Sequence, residues 1–137
     1  MKKGKAIGLG GIFIKFNDPE KMKHWYQEIL GLDTNEYGIL FSFNGYDEPK
    51  GYLQLGTFST DSNYFGSPDQ TYMLNFRVDD LTLLLIHLKQ KNVSILDDIE
   101  SYEYGKFLHI SDPEGNRIEL WEPIDTAFDN ETQVQMC

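Results

Sequence analysis

The chain has 137 residues, 40% of them hydrophobic, with 22 acidic against 12 basic residues and a formal net charge of −10 at pH 7. That length suits one domain with a substantial core rather than two, and nine Phe, eight Tyr and two Trp exclude general disorder. The scattered acids argue against nucleic acid and favour neutral or cationic partners, while a single cysteine, Cys137, leaves no intrachain disulfide or Cys-based zinc site. With no apolar run of signal-peptide or membrane-span length, the expectation is a cytoplasmic protein with no membrane partner.

Leu9 to Phe16 is apolar and β-rich and ends at Asn17-Asp18-Pro19, where Asp18 can cap a helix and Pro19 can open it. In that helix Met22, Trp25, Tyr26, Ile29 and Leu30 recur at the spacing of one buried face, and Gly31 stops it. Trp25 and Tyr26 are therefore expected in the core. Short strands follow near Leu32 to Glu36, Gly38 to Phe43 and Gly51 to Phe58, with turns at Asn44-Gly45 and Glu48-Pro49. Ser59 to Gln70, rich in Ser, Asp, Asn, Gly and Pro, reads as a linker.

The pattern then repeats. Tyr72 to Val78 is a strand, Asp79-Asp80 a helix start, and Leu81, Leu84, Leu85 and Leu88 a helix face that Leu83 and Ile86 make apolar nearly all round. Strands are expected at Val93 to Leu96, Tyr104 to Ile110 and Arg117 to Trp121, the last after the turn Asp112-Pro113-Glu114-Gly115. Asp18 matches Asp80, Tyr37-Gly38 matches Tyr104-Gly105, and residues 52–55 match 117–120. The expectation is an α+β fold of two tandem βαβββ units, at about residues 7–58 and 71–123, joined by the linker 59–70 and followed by an acidic tail 124–137.

Alternation along each strand sorts side chains between two faces. Ile12, Ile14, Phe16, Phe41, Phe43, Leu53, Leu55, Leu74, Phe76, Val78, Leu108, Ile110, Ile118 and Leu120 fall on the face expected to pack against helices. The other face carries Gly11, Phe13, Lys15, Leu40, Ser42, Tyr52, Gln54, Met73, Asn75, Arg77, Phe107, His109, Glu119 and Trp121. Aromatics interleaved with Gln, Asn, His and Glu are the composition of a pocket lining rather than a solvated sheet face. Phe13, Lys15, Ser42, Tyr52, Gln54, Met73, Asn75, Arg77, Phe107 and Trp121 are the candidate ligand-binding residues, and Glu119 with His109 the candidate acid–base pair.

The segments Gly11 to Pro19, Trp25-Tyr26 with Leu30-Gly31-Leu32, Asn75 to Leu81 and Ser111 to Leu120 resemble the vicinal oxygen chelate superfamily of glyoxalases, ring-cleaving dioxygenases and bleomycin-resistance proteins. The resemblance implies a curved mixed sheet enclosing a ligand cup, with helices on its outer face, and a homodimer. In metal-using members it implies a divalent ion held from both first and both last strands. Those positions fall here on Gly11, Gln54, Met73 and Glu119. Gly has no ligating side chain and a thioether suits softer metals, so no cofactor is expected; if a divalent metal binds at all, Glu119 and Gln54 are the residues left to hold it.

Three functions remain open on the sequence. The first is a non-catalytic binder of a small organic molecule, cationic or aromatic, similar in manner to the bleomycin-resistance members. The alternative is a lyase or isomerase of the glyoxalase type with Glu119 as general base, an atypical metal or none, and Lys15, Gln54, Asn75 and Arg77 as donors to an enolate. The third is a vestigial cup in a protein whose role is dimerisation or partner binding.

Overall fold

The computed structural model describes residues 4–43, 51–124 and 127, without the Phe43 side chain. The expected turns at Asn44-Gly45 and Glu48-Pro49, the core position of Phe43, Cys137 and most of the acidic tail lie outside the described residues. In chain order the elements are β1 (Ala6–Phe16), α1 (Pro19–Leu30), β2 (Thr34–Asn35), β3 (Gly38–Phe43), β4 (Gly51–Ser59), β5 (Tyr72–Val78), α2 (Leu81–Gln90), β6 (Ser94–Ile95), β7 (Glu100–Tyr102), β8 (Gly105–Ser111) and β9 (Arg117–Pro123). The strands form one mixed sheet in the order β2-β3-β4-β1-β5-β9-β8-β6, with β7 hydrogen-bonded to β8.

The sheet has a pseudo-twofold arrangement about its centre. β1 and β5 pair antiparallel, each is flanked by the last strand of its own unit in parallel, β4 beside β1 and β9 beside β5, and the antiparallel pairs β3–β4 and β8–β9 lie outside them. Local chemistry repeats with it. Asp18 Oδ1 accepts from the Lys21 amide at 3.1 Å and Asp80 Oδ1 from the Leu83 amide at 3.0 Å, so each helix opens on the same side-chain cap. Gly38 and Gly105 both adopt positive φ, 141° and 136°, where the backbone of the next strand passes close and a Cβ would collide with it.

α2 packs as its periodicity predicts. Leu81 and Leu84 join Val78, Leu108 and Leu120 in the main buried cluster, with Phe76, Leu85, Leu88, Ile110 and Ile118 around it. α1 differs. Gly31 at φ 70° closes it, its amide bonding back to Gln27 O at 3.1 Å, yet no residue of the helix is fully buried. Trp25, expected in the core, is 46% exposed, with Ile29 at 62% and Leu30 at 56%. Pro19, Met22, Lys23 and Tyr26 are the partly covered positions instead. The contact face is turned away from the centre of the apolar stripe, and the Lys23 ammonium, donating to Asn35 O at 3.1 Å, occupies a position that an apolar residue would otherwise fill.

Two further departures come from the irregular segments. The stretch after β4, read as a polar linker, carries Phe65, fully buried with Phe13 and Met73. Residues between β6 and β8 supply the additional short strand β7. Among the described residues no helix is long and apolar enough to cross a membrane.

Candidate functional site

The face opposite the helices holds a cavity of about 630 Å³. Register sets its floor: Leu40, Gln54, Gly11, Asn75, Glu119 and His109 lie opposite one another across the six neighbouring strands β3, β4, β1, β5, β9 and β8, and of these Gln54, Asn75, Glu119 and His109 line the cavity. A bulge in β1 between Leu9 and Gly11 also brings Gly10 to the cavity wall.

Glu119 is the centre of the floor and is 1% exposed. Its Oε1 accepts from Asn75 Nδ2 at 2.7 Å, and its Oε2 lies 2.8 Å from His109 Nε2 and also accepts the Tyr64 hydroxyl. His109 Nδ1 in turn meets Asp97 Oδ2 at 2.6 Å, while Asp97 Oδ1 accepts the His109 amide at 2.7 Å. Burial pulls the imidazole down, but the hydrogen bonds and negative charges of Glu119 and then Asp97 outweigh it, and His109 holds its proton above its ordinary range. As an imidazolium it donates from both ring nitrogens, which makes Asp97, His109 and Glu119 one continuous chain. Burial, followed by the charge and hydrogen bond of Glu119, pushes the Tyr64 phenol up, so it remains a donor.

The walls are aromatic. Phe107 and Trp121 stack with centroids 6.0 Å apart, and Tyr104 stands edge-on to Phe107 with Tyr102 beside it. Opposite them Tyr64 stacks on Phe58, which packs against Phe13. Tyr37 and Tyr104, equivalent in the two units, meet hydroxyl to hydroxyl at 3.2 Å; that bond first, and burial second, raises the Tyr37 phenol. Glu36, Asp97, Glu100 and Glu119 line the cavity against one guanidinium, Arg117, and His109.

Of the residues singled out from the sequence, Phe13, Gln54, Asn75, Phe107, His109, Glu119 and Trp121 line this cavity. Lys15, Ser42, Tyr52, Met73 and Arg77 do not. Lys15 lies over the Phe65 ring at 5.1 Å and Met73 is buried beneath the same ring, because the segment after β4 folds down over that end of the sheet. Tyr52 is fully buried between Leu40 and Trp121, and Ser42 is exposed. Arg77 stands at the side of Trp121, its guanidinium 5.4 Å from the ring and donating to Tyr52 O at 2.9 Å. The sequence reading missed Tyr64, Asp97, Arg117, Tyr37, Tyr102 and Tyr104. Two of these had a visible signal: Tyr64-Phe65 is an aromatic pair in an otherwise polar stretch, and Arg117 shares the parity of Glu119 and Trp121.

The donor set does not fit a hard divalent ion. A side chain at Gly11 would begin 2.7 Å from Gln54 O, Met73 is fully buried under Phe65, and the Gln54 amide is engaged by Asn35 and by Ile39 O. Glu119 Oε2 already accepts two donors and both His109 nitrogens face carboxylates. Among the described residues no group of three or more His, Cys, Asp or Glu converges on one point. Among the described residues two buried polar side-chain atoms have no hydrogen-bond partner, Asn75 Oδ1 and Arg117 Nε, a condition that costs about 1–3 kcal/mol each.

The paired βαβββ sheet with an aromatic-lined cup defines a vicinal-oxygen-chelate class of fold, and comparison with known proteins agrees. The sequence model of the Glyoxalase/Bleomycin resistance protein/Dioxygenase superfamily matches residues 8–120, and the chain belongs to that family. Among solved structures it is similar to methylmalonyl-CoA epimerase from Mycobacterium tuberculosis, at 19% identity and TM-score 0.61 over 89% of this chain and 91% of that one. The Streptomyces coelicolor methylmalonyl-CoA epimerase with 2-nitronate-propionyl-CoA gives 18% identity and TM-score 0.63 over 88% and 99%. A Vibrio splendidus 12B01 member of the superfamily gives 13% and 0.50 over 81% and 95%. At these identities the likeness concerns the fold. No curated protein matches the chain.

Proposed function

We propose that this protein binds a small organic cation with a flat apolar body in the cavity and does so without a metal. The observation that carries the reading is the wall itself: eight aromatic residues, Phe13, Tyr37, Phe58, Tyr64, Tyr102, Tyr104, Phe107 and Trp121, together with carboxylates that outnumber the cationic groups. Ring faces attract a cation by about 0.5–2 kcal/mol each, more as water is excluded. The buried Glu119 and the half-buried Asp97 are paired with His109, and Asp97 also lies 4.0 Å from the Arg117 guanidinium, whereas Glu36 and Glu100, exposed members of the lining, form no salt bridge among the described residues. A field of that sign draws in cations and resists polyanions. The partner copy of a homodimer, in this reading, covers the exposed Trp25, Ile29 and Leu30 on α1.

The test is thermal unfolding of chelator-treated protein with Zn²⁺, Ni²⁺, Mn²⁺ or Fe²⁺ in one series and aromatic cations in another. Stabilisation by an organic cation and none by metal supports the proposal. A metal-dependent rise abolished by Glu119→Ala overturns it.

One observation favours a second reading, an isomerase or lyase: Glu119 faces the cavity while hydrogen-bonded to a histidine that a second carboxylate orients. In that role Glu119 takes a proton from carbon next to a carbonyl. Several fold relatives are methylmalonyl-CoA epimerases, but the acidic lining opposes a CoA ester with its phosphates. Deuterium wash-in to methylmalonyl-CoA, lost in Glu119→Gln, would establish this reading over binding alone.

A further inference from the structure

Arg117 stands at the start of β9 and lines the cavity. Its backbone is pinned by the Gln70 amide, which accepts the Arg117 N–H at 2.9 Å and donates to Arg117 O at 2.9 Å. Gly66 covers one side of the side chain so closely that a Cβ there would lie 3.3 Å from Arg117 Cδ and 3.5 Å from Nη1. The head is held in place, yet among the described residues the guanidinium donates no hydrogen bond. Its ion partner is Asp97, with Oδ2 4.0 Å from Nη2. That oxygen is committed elsewhere, lying 2.6 Å from His109 Nδ1. Of the three guanidinium nitrogens only Nε is both unpartnered and fully buried. Nη1 and Nη2 therefore keep exposed surface, in a side chain that is 22% exposed and faces the cavity. A guanidinium presents its N–H donors in a fixed plane and keeps its charge at any ordinary pH, so these terminal groups are standing donors to an acceptor that enters.

We propose that Arg117 reads an uncharged oxygen on the ligand: the organic cation taken up by this site carries a carbonyl group, and the terminal guanidinium nitrogens donate to its oxygen. The class follows from the charges around the head. Asp97 and Glu119 are already balanced by Arg117 and His109, so a ligand carboxylate would add a further negative charge beside Asp97, whereas a carbonyl meets the donors and adds none. Water solvates an accessible donor in the free protein. A carbonyl replaces that hydrogen bond, while an apolar group of the same shape removes the water and returns nothing. It rests on the reading of the cavity as a cation site, and the experiment separates the two.

The experiment is a calorimetric titration of wild-type protein with three flat compounds: an N-methylquinolinium bearing an acetyl group, the same ion with isopropenyl in place of acetyl, and the same ion with a carboxylate there. The first two share charge and shape and differ in an oxygen for a methylene. The titrations are repeated with Arg117→Met and, as a second variant, Arg117→Leu. The expected result in wild type is about a tenfold preference for acetyl over isopropenyl, the scale of one hydrogen bond to a charged group, with the carboxylate no tighter than acetyl. In either variant that folds, the isopropenyl cation binds at least as well as to wild type, because a repelling charge has gone, and the preference falls to about twofold or less. A wild-type preference under about threefold, or one that survives in the variants, overturns the role of Arg117 while leaving the cation site standing. Tightest binding by the carboxylate overturns the uncharged acceptor. Failure of both the acetyl and isopropenyl cations to bind wild type overturns the cation reading itself and the role of Arg117 with it. The wild-type comparison does not depend on either variant folding.

Discussion

Removing the Glu119 carboxylate should be among the most damaging single changes in the sheet. Glu119→Ala leaves the Tyr64 hydroxyl, the Asn75 Nδ2 and the His109 Nε2 without their acceptor, in a setting where Glu119 is 1% and His109 5% exposed. It also strips His109 of one of its two carboxylate partners. Breaking a buried charge pair from one side costs about 3–5 kcal/mol, and the adjoining cavity gives solvent partial access to the stranded donors, which argues for the lower half of that range. With a urea m-value of about 2 kcal/mol per molar, the midpoint should fall by about 1.5–2 M. Glu119→Gln keeps the shape and one acceptor oxygen but sets an NH₂ group against a donor, so about half the loss is expected. His109→Gln in the Glu119→Ala background should cost less than it does alone, because the two residues share one contact. A Glu119→Ala midpoint within about 0.3 M of wild type would refute the argument that this network holds β8, β9 and the Tyr64 segment together.

The pH dependence follows from His109. Its folded-state value is raised by Glu119 and Asp97 despite burial, so the stability it contributes is fully present below the unfolded value near 6.5 and is lost as pH rises through the raised folded value. Unfolding free energy measured across that window should decline with pH in wild type more steeply than in His109→Gln; parallel curves would contradict the assignment. Phe65→Ala removes a fully buried ring packed against Phe13 and Met73 and should cost about 3–5 kcal/mol by urea unfolding, with faster amide exchange in residues 60–69. Trp25→Glu with Leu30→Glu should shift sedimentation from dimer to monomer with little change in far-ultraviolet circular dichroism; a monomeric wild type sinks the proposed dimer.

The fold was legible because its cues are local and occur twice. Asp18 and Asp80 announce both helix starts and Gly31 one helix end, and the two Tyr-Gly pairs that align the repeats stand at the openings of β3 and β8. Alternation also separated Val78, Leu108 and Leu120, which pack on α2, from Asn75, His109, Glu119 and Trp121, which face the cavity. Parity cannot show how far along a strand the cavity reaches. Met73 and Lys15 lie on the predicted face but under the Phe65 segment, and Tyr52 on that face is sealed by its neighbours. Nor does it cover residues outside regular strands, which is why Tyr64 and Asp97, delivered by loops, had to be found in three dimensions. On α1 the apolar stripe is real in sequence, and its exposure depends on a rotation of the helix that periodicity does not encode.

The central claim, a metal-independent site for an organic cation, is tested most directly by titrating chelator-treated protein with a flat aromatic cation such as proflavine and with a flat aromatic anion such as naphthalene sulfonate, following tryptophan fluorescence and heat. Saturable binding of the cation alone is expected, with quenching that is lost when Trp121 is replaced by Leu, since Trp121 is the tryptophan in the cavity wall. Preferential binding of the anion, or binding of either compound only after a divalent metal is restored, would contradict it.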